Sequence, residues 1–327
     1  MSNRVQATRR RLLAAGLATG LSGAAGCSGS QSDAEPTTET AGATNETDTG
    51  TATRAVETVV SVPGDPQPEN LAVDTDGTLY FGLRNGELRR VASDRLGDGV
   101  ALEATELVAT LPATTGVETA DDGTIYVAVP SDGEQEGVWE VSTDGDASQL
   151  ATVSGFPNDI LADGDRLLVT ESTDGTVFEI GTDGSKSTWL DDDRLDPSGF
   201  GVNGITQDTA GDVYVAVMEA TDDTGQLLRV PVADDGSAGE GVVANDGSTL
   251  FGADGITAHD GSVYVAVNHR QQVLELRGEE ESATMATAED GLVFPSDVVV
   301  DPSGSHLYIC DLASGSPGSA GIYRTTI

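Results

Sequence analysis

The sequence predicts an all-β chain folded as a six-bladed β-propeller whose N-terminal strand closes the last blade. Three observations carry that expectation. First, six short stretches look like copies of one another: Pro68-Glu69-Asn70-Leu71, Gly116-Val117-Glu118-Thr119, Pro157-Asn158-Asp159-Ile160, Val202-Asn203-Gly204-Ile205, Ala253-Asp254-Gly255-Ile256 and Pro295-Ser296-Asp297-Val298. They recur about every 40 to 50 residues, the spacing of a propeller blade. Second, each is followed by an Asp/Gly turn and then a β-branched or aromatic run such as Leu79-Tyr80-Phe81 or Val263-Tyr264-Val265. Third, almost no stretch shows the 3.6-residue apolar period of a helix.

The segment before the repeat reads as targeting and not as fold. Arg9-Arg10-Arg11 precedes a small, apolar run from Ala14 to Ala25, which ends in Gly26-Cys27. A basic start, a short apolar core and small residues before a cleavage point describe an export signal, too short to span a bilayer. Paired arginines resemble a twin-arginine signal. The ending resembles a lipobox, although it lacks the usual Leu three before the cysteine, and so Cys27 is the expected lipidation site. Residues 1–27 are therefore read as signal, and the protein is expected on the outer face of the cytoplasmic membrane, anchored there through Cys27 alone. Residues 28–54 are Ser, Thr, Ala, Gly and acids with almost nothing apolar, which cannot offset the entropy of ordering a chain. They are read as a flexible stalk. Asn45 opens the chain's one Asn-x-Ser/Thr sequon there, a candidate for glycosylation.

Residues 55–327 hold the blades. The first has strands near Leu71–Val73, Leu79–Leu83, Glu87–Val91 and Leu107–Leu111. The last offers only Asp297–Val300, His306–Cys310 and Gly321–Thr325 before the chain ends. Its missing strand is available at 56–62, and pairing it there removes an exposed sheet edge.

Composition narrows the partners. The chain carries 55 acidic residues against 16 basic ones, a formal charge of -39, with Lys186 as its one lysine. That balance excludes charge-driven binding of nucleic acid or of an anionic membrane surface. The acids are spread over the whole chain, so the expected meaning is a surface adapted to high salt. Apolar residues make up 37%, enough for a real core. Cys310, inside Leu307-Tyr308-Ile309-Cys310, is expected to be a buried small hydrophobe. A monomer is expected.

The innermost strand of each blade lines a central channel, so the six blade-start stretches meet at one mouth. Aligned on the residue that ends each stretch, the position two before it reads Glu69, Val117, Asn158, Asn203, Asp254 and Ser296. Two carboxylates and two amides there, Glu69, Asp254, Asn158 and Asn203, are hard oxygen donors suited to a divalent ion. No Cys–His cluster suggests zinc. Taken singly, each residue is an ordinary turn former; the shared register is what points to a site. Asp159 and Asp297 lie one place off that register and His269 follows a strand near the mouth. These three are candidates for supporting the ligands or touching substrate.

These stretches resemble the senescence-marker-protein/gluconolactonase/luciferin-regenerating-enzyme superfamily, to which paraoxonases and strictosidine-synthase-like proteins are related. The resemblance spans residues 55–327 and rests on Pro68-Glu69-Asn70-Leu71, Pro157-Asn158-Asp159, Asn203-Gly204 and Asp254-Gly255 in order. It implies one divalent ion, most often calcium, held by Glu69, Asn158, Asn203 and Asp254, with Asp254 also as general base. The implied activity is metal-dependent hydrolysis of a small lactone or related ester. One departure stands out: Phe156 occupies the place where sugar-lactone hydrolases of the family typically carry an arginine, which argues against gluconolactone itself. Asn268-His269-Arg270 resembles the repeat of six-bladed propellers that bind partners without catalysis. A non-catalytic, ligand- or protein-binding propeller with a structural ion therefore stays open, as does, more remotely, an oxidoreductase.

Overall fold

The computed structural model describes residues 54–327 apart from 98, 132, 196–199, 221–222, 279–280, 315 and 317–318. The expected signal, Cys27, Asn45 and the expected stalk up to residue 53 lie outside the described residues; Arg54, its last expected residue, is described and donates to Met285 Sδ at 3.2 Å. The remainder is a ring of six antiparallel sheets. Blade one runs Pro68–Val73, Leu79–Leu83, Glu87–Val91 and Glu106–Thr110 from the channel outward, close to the strands expected. The inner strands of the next five blades are Val117–Thr119, Pro157–Asp163, Val202–Gln207, Ala253–His259 and Pro295–Val300. Helical structure among the described residues is limited to three-residue 3-10 turns, and none is long or apolar enough to cross a membrane.

The ring closes as anticipated. Glu57–Ser61 pairs antiparallel with Gly321–Thr326 and completes blade six, with Val60 against Ile322 and Ser61 against Gly321. Its far edge is covered as well, by a two-residue strand, Val100–Ala101, which leaves blade one to pair in parallel with Val60–Ser61. No sequence signal marked that second cover. It caps a row of backbone groups that would otherwise invite another chain.

Alternation explains the core. Each second strand is buried along almost its whole length, as in Ile125–Val129 and Ser262–Val267, because both of its faces pack against a neighbouring blade. Six clusters result, each spanning the junction of two blades; Phe81, Leu79 and Val59 belong to the one that joins blade one to the closing strand. Cys310 is buried there as a free thiol.

Polar side chains stitch the junctions near the channel. Thr115 Oγ1 donates to the Pro157 carbonyl at 2.8 Å and Thr170 Oγ1 to the Asn203 carbonyl at 2.7 Å. The Ala258 N–H donates to Thr206 Oγ1 at 3.1 Å.

Candidate metal centre at the channel mouth

Five of the six inner strands begin with a β-bulge. The pairing register slips between Pro68 and Asn70, Pro157 and Ile160, Val202 and Ile205, Ala253 and Ile256, and Pro295 and Asp297. A bulge places two residues opposite one and breaks the in–out alternation of a strand. Each of these five blade starts therefore delivers two successive residues to the channel, and these form two rings. Blade two has no such slip and aligns on Val117, which pairs with Val127 as Leu71 pairs with Phe81 and gives its N–H to Asn70 as Leu71 gives its own to Asp297. Val117 therefore does not hold the place expected for it; Thr115 does. The upper ring is Glu69, Thr115, Asn158, Asn203, Asp254 and Ser296. The lower is Asn70, Gly116, Asp159, Gly204, Gly255 and Asp297, with Glu118 lining the channel two residues beyond Gly116.

All four expected ligands lie in the upper ring. Asn158, Asn203 and Asp254 are buried, and Glu69 is partly so. Asn158 is fixed by its own amide, whose Nδ2 donates to Ser172 Oγ at 3.0 Å; the hydroxyl in turn donates to the Val202 carbonyl of the next blade. Asp254 Oδ2 accepts from Asn268 Nδ2 at 2.8 Å. The Asn203 amide also favours the charged form of Asp254. Glu69 has Arg84 Nε at 3.6 Å, too long for a hydrogen bond.

The electrostatics of this ring are strained without a cation. Burial, followed by the charge of Glu69 and that of Asp159, pushes Asp254 well above the carboxylate range, although Asn268 and Asn203 pull it back. Burial also raises Glu69, which Arg84 only partly offsets. Three buried polar atoms at the mouth lack a hydrogen-bond partner: Glu69 Oε2, Ser296 Oγ and Asn268 Oδ1. A buried oxygen without a partner is costly, and native interiors hold few of them. Hard oxygens of this kind, backed by two carboxylates, fit a divalent cation of the calcium type. Among the described residues no three of His, Cys, Asp and Glu cluster as a metal group; the set here is two acids and two amides.

The lower ring behaves differently. Asn70 Oδ1 accepts from the Val117 N–H at 2.7 Å, Asp159 Oδ2 from the Ile205 N–H at 3.0 Å and Asp297 Oδ2 from the Leu71 N–H at 3.0 Å. Asn70 Nδ2 reaches Asp159 Oδ1 at 3.3 Å. Asp159 and Asp297 thus latch each blade to the next. Where the ring holds glycine, the following blade occupies the space: a Cβ on Gly255 would collide with the Asp297 carboxylate. Below the mouth the channel holds a cavity of about 90 Å³, lined among others by Asn70, Glu118, Asp159, Asp297 and Thr206. Burial, with help from the Asp159 charge and against a hydrogen bond from the Thr119 N–H, pushes Glu118 up to about 8. Burial likewise moves Asp159 to about 6.

His269 stands at the rim, stacked on Phe251 with ring centroids 4.7 Å apart, and its Nε2 is 3.8 Å from Glu219 Oε1. Asn268, just before it, is a site residue that the blade-start register does not reveal, because it opens the 3-10 turn that follows the second strand of blade five. Gly252 makes room for it: the φ there is +90°, and a Cβ would strike Asn268 Oδ1 and the His269 backbone.

Comparison with known proteins agrees with this architecture. Residues 56–91 match the family model described as strictosidine synthase-like, N-terminal. No curated protein matches. A regucalcin from Agrobacterium tumefaciens, described as a calcium-binding protein, is similar at 15% identity and a TM-score of 0.61, over 84% of this chain and 93% of that one. A gluconolactonase from Xanthomonas campestris is similar at 14% identity and a TM-score of 0.62, over 85% and 93%. A glucose-dehydrogenase-type putative oxidoreductase from Thermus thermophilus is similar at 17% and a TM-score of 0.59, over 83% and 99%. At these identities the likeness is one of fold.

Proposed function

We propose that this chain is a divalent-metal-dependent hydrolase of lactones or related esters, working at the channel mouth. The observation that carries the reading is the upper ring, where Glu69 Oε2, Ser296 Oγ and Asn268 Oδ1 are buried without partners around two carboxylates. The shared fold with a gluconolactonase and a calcium-binding regucalcin supports it.

Glu69, Asn158, Asn203 and Asp254 would hold the ion, and the hardness of these donors favours calcium. When bound, such an ion supplies electrophilic polarisation of the scissile carbonyl. The other roles belong to the chain. Asp254 takes a proton from the attacking water as the water oxygen bonds to the acyl carbon; the acyl C–O bond then breaks, and Asp254 returns that proton to the leaving alkoxide. Asn268 holds Asp254 Oδ2, so one carboxylate oxygen is oriented and the other is left for that work. Asn158 is kept from turning by Ser172. Asp159, Asp297 and the blade junctions keep the ring's diameter constant behind them.

The location follows from the sequence: export by the twin-arginine-type signal, lipid attachment at Cys27 and a stalk over residues 28–54. A second reading, a binding propeller with a structural ion, is favoured by one observation. The one histidine at the rim, His269, is engaged by Phe251 and Glu219 and does not face a nucleophile. A panel of lactones and aryl esters, assayed in molar salt with and without chelator, separates the two. Chelator-sensitive turnover is expected; metal-dependent stabilisation without turnover on any substrate would favour the binding protein.

A further inference from the structure

Phenylalanine is scarce in this chain, with six in 327 residues. Four of the six share one structural position. Phe156, Phe200, Phe251 and Phe294 each lie two or three residues before an upper-ring residue, in the loop that leads into blades three, four, five and six. Each is only half-buried, and none belongs to any of the blade-junction cores. Packing of the fold therefore does not account for them.

They form a connected arc. Phe156 meets Phe200 edge-on at 5.3 Å. His269 stacks on Phe251 at an interplanar angle of 17° and meets Phe294 edge-on at 5.9 Å. Glu219 links the two groups, with its carboxylate beside His269 and its N–H on the Phe200 carbonyl. Blade one carries Gln67 at this position, already engaged because its Nε2 donates to the Leu312 carbonyl, and blade two carries Pro112-Ala113, with no ring to add. A surface dominated by carboxylates thus carries one aromatic arc, on the rim directly above Asn158, Asn203, Asp254 and Ser296.

We infer that this arc is the subsite for the non-reacting part of the substrate, and that it selects a lactone or ester bearing a flat aromatic ring. The inference rests on the hydrolase reading of the mouth and adds the substrate class to it. Ring faces and edges complement another aromatic ring and are poor partners for hydroxyl groups. A polyhydroxylated lactone would set its hydroxyls against phenyl rings with no free acceptor or donor, which is costly once water is excluded.

The test uses the full chain with calcium in molar KCl. γ-Phenyl-γ-butyrolactone, γ-methyl-γ-butyrolactone and glucono-δ-lactone are compared by kcat/KM, and binding of 2-naphthol, neutral and not hydrolysable, is measured by calorimetry. The phenyl lactone is expected to exceed the methyl lactone about 10-fold or more, and Phe156→Ala with Phe294→Ala to reduce that ratio by about 3- to 10-fold per ring. Phe156→Leu with Phe294→Leu, which keeps apolar bulk without a ring, should lose most of the preference while folding normally. If no lactone is turned over but 2-naphthol binds and weakens in the Phe variants, the arc stands and the hydrolase reading fails. Equal kcat/KM for the phenyl and methyl lactones, or 2-naphthol that does not bind or binds the variants as well as the wild type, overturns the arc.

Discussion

The two rings of the channel sit one residue apart on the same strands, and both are polar and buried, yet their oxygens meet different fates. Those of the lower ring are committed to the neighbouring blade: Asn70, Asp159 and Asp297 each accept a backbone N–H across a junction. The upper ring leaves oxygens over: Glu69 Oε2 and Ser296 Oγ are buried with no partner. In a protein interior a polar group that holds its partners reads as architecture, and one that lacks them reads as a place for something to bind. The bulge at five of the six blade starts makes both possible, because it turns consecutive residues toward the channel.

The sharpest break in that comparison is at Asp254. Asp254→Asn should lower kcat/KM on a turned-over lactone by about 100- to 10,000-fold, the usual reach of a general base. Its unfolding midpoint in urea should stay level or rise, since a buried charge is removed from beside Glu69. A lower-ring change should do the reverse. Asn70→Ala leaves the Val117 N–H unpaired and takes one of the two hydrogen bonds from Asp159 Oδ1, and should cost about 2 kcal/mol in the same unfolding experiment, with kcat/KM on the remaining folded protein changed far less than by Asp254→Asn.

A third contrast concerns pH. Glu118 keeps its proton in the folded chain up to about 8, above its ordinary value. A raised folded pKa means that the unfolded chain loses this proton first. Stability from Glu118 is therefore complete below the ordinary carboxylate range and is lost as pH rises towards 8. In chelator, urea midpoints should fall as pH rises from about 5 to about 9, and Glu118→Gln should flatten that fall. An identical slope in the variant would remove Glu118 from the account. The smallest effect belongs to Ser296→Ala. Its hydroxyl has no partner to lose, so stability should stay within about 0.5 kcal/mol.

Much of the molecule is legible in the sequence because it is written locally. Asp/Gly turns and β-branched runs repeat blade by blade, and the strand missing after Thr326 is visible at Glu57–Ser61. The register of Glu69, Asn158, Asn203 and Asp254 is legible for the same reason: propeller symmetry turns equal position in a repeat into proximity in space. What the sequence hides is contact between unlike positions. Asn268 meets Asp254 from a different strand, and nothing in Asn268-His269-Arg270 announces that meeting. Asp159 and Asp297 read as support for a site, and their bonds to Ile205 and Leu71 depend on a bulge that no residue pattern specifies. The cover strand Val100–Ala101 is too short to carry a period at all. Phe156 reads in isolation as a missing arginine; only beside Phe200, Phe251 and Phe294 does it become part of a surface.

The central claim is that the upper ring, and not the lower, holds a divalent cation. Calorimetric titration of calcium into chelator-stripped protein in molar KCl tests it directly, with Glu69→Gln and Asp297→Asn alongside the wild type. One site per chain is predicted for the wild type, retained in Asp297→Asn and lost or greatly weakened in Glu69→Gln. Absence of calcium binding in the wild type, or binding that survives Glu69→Gln and disappears in Asp297→Asn, would contradict the account.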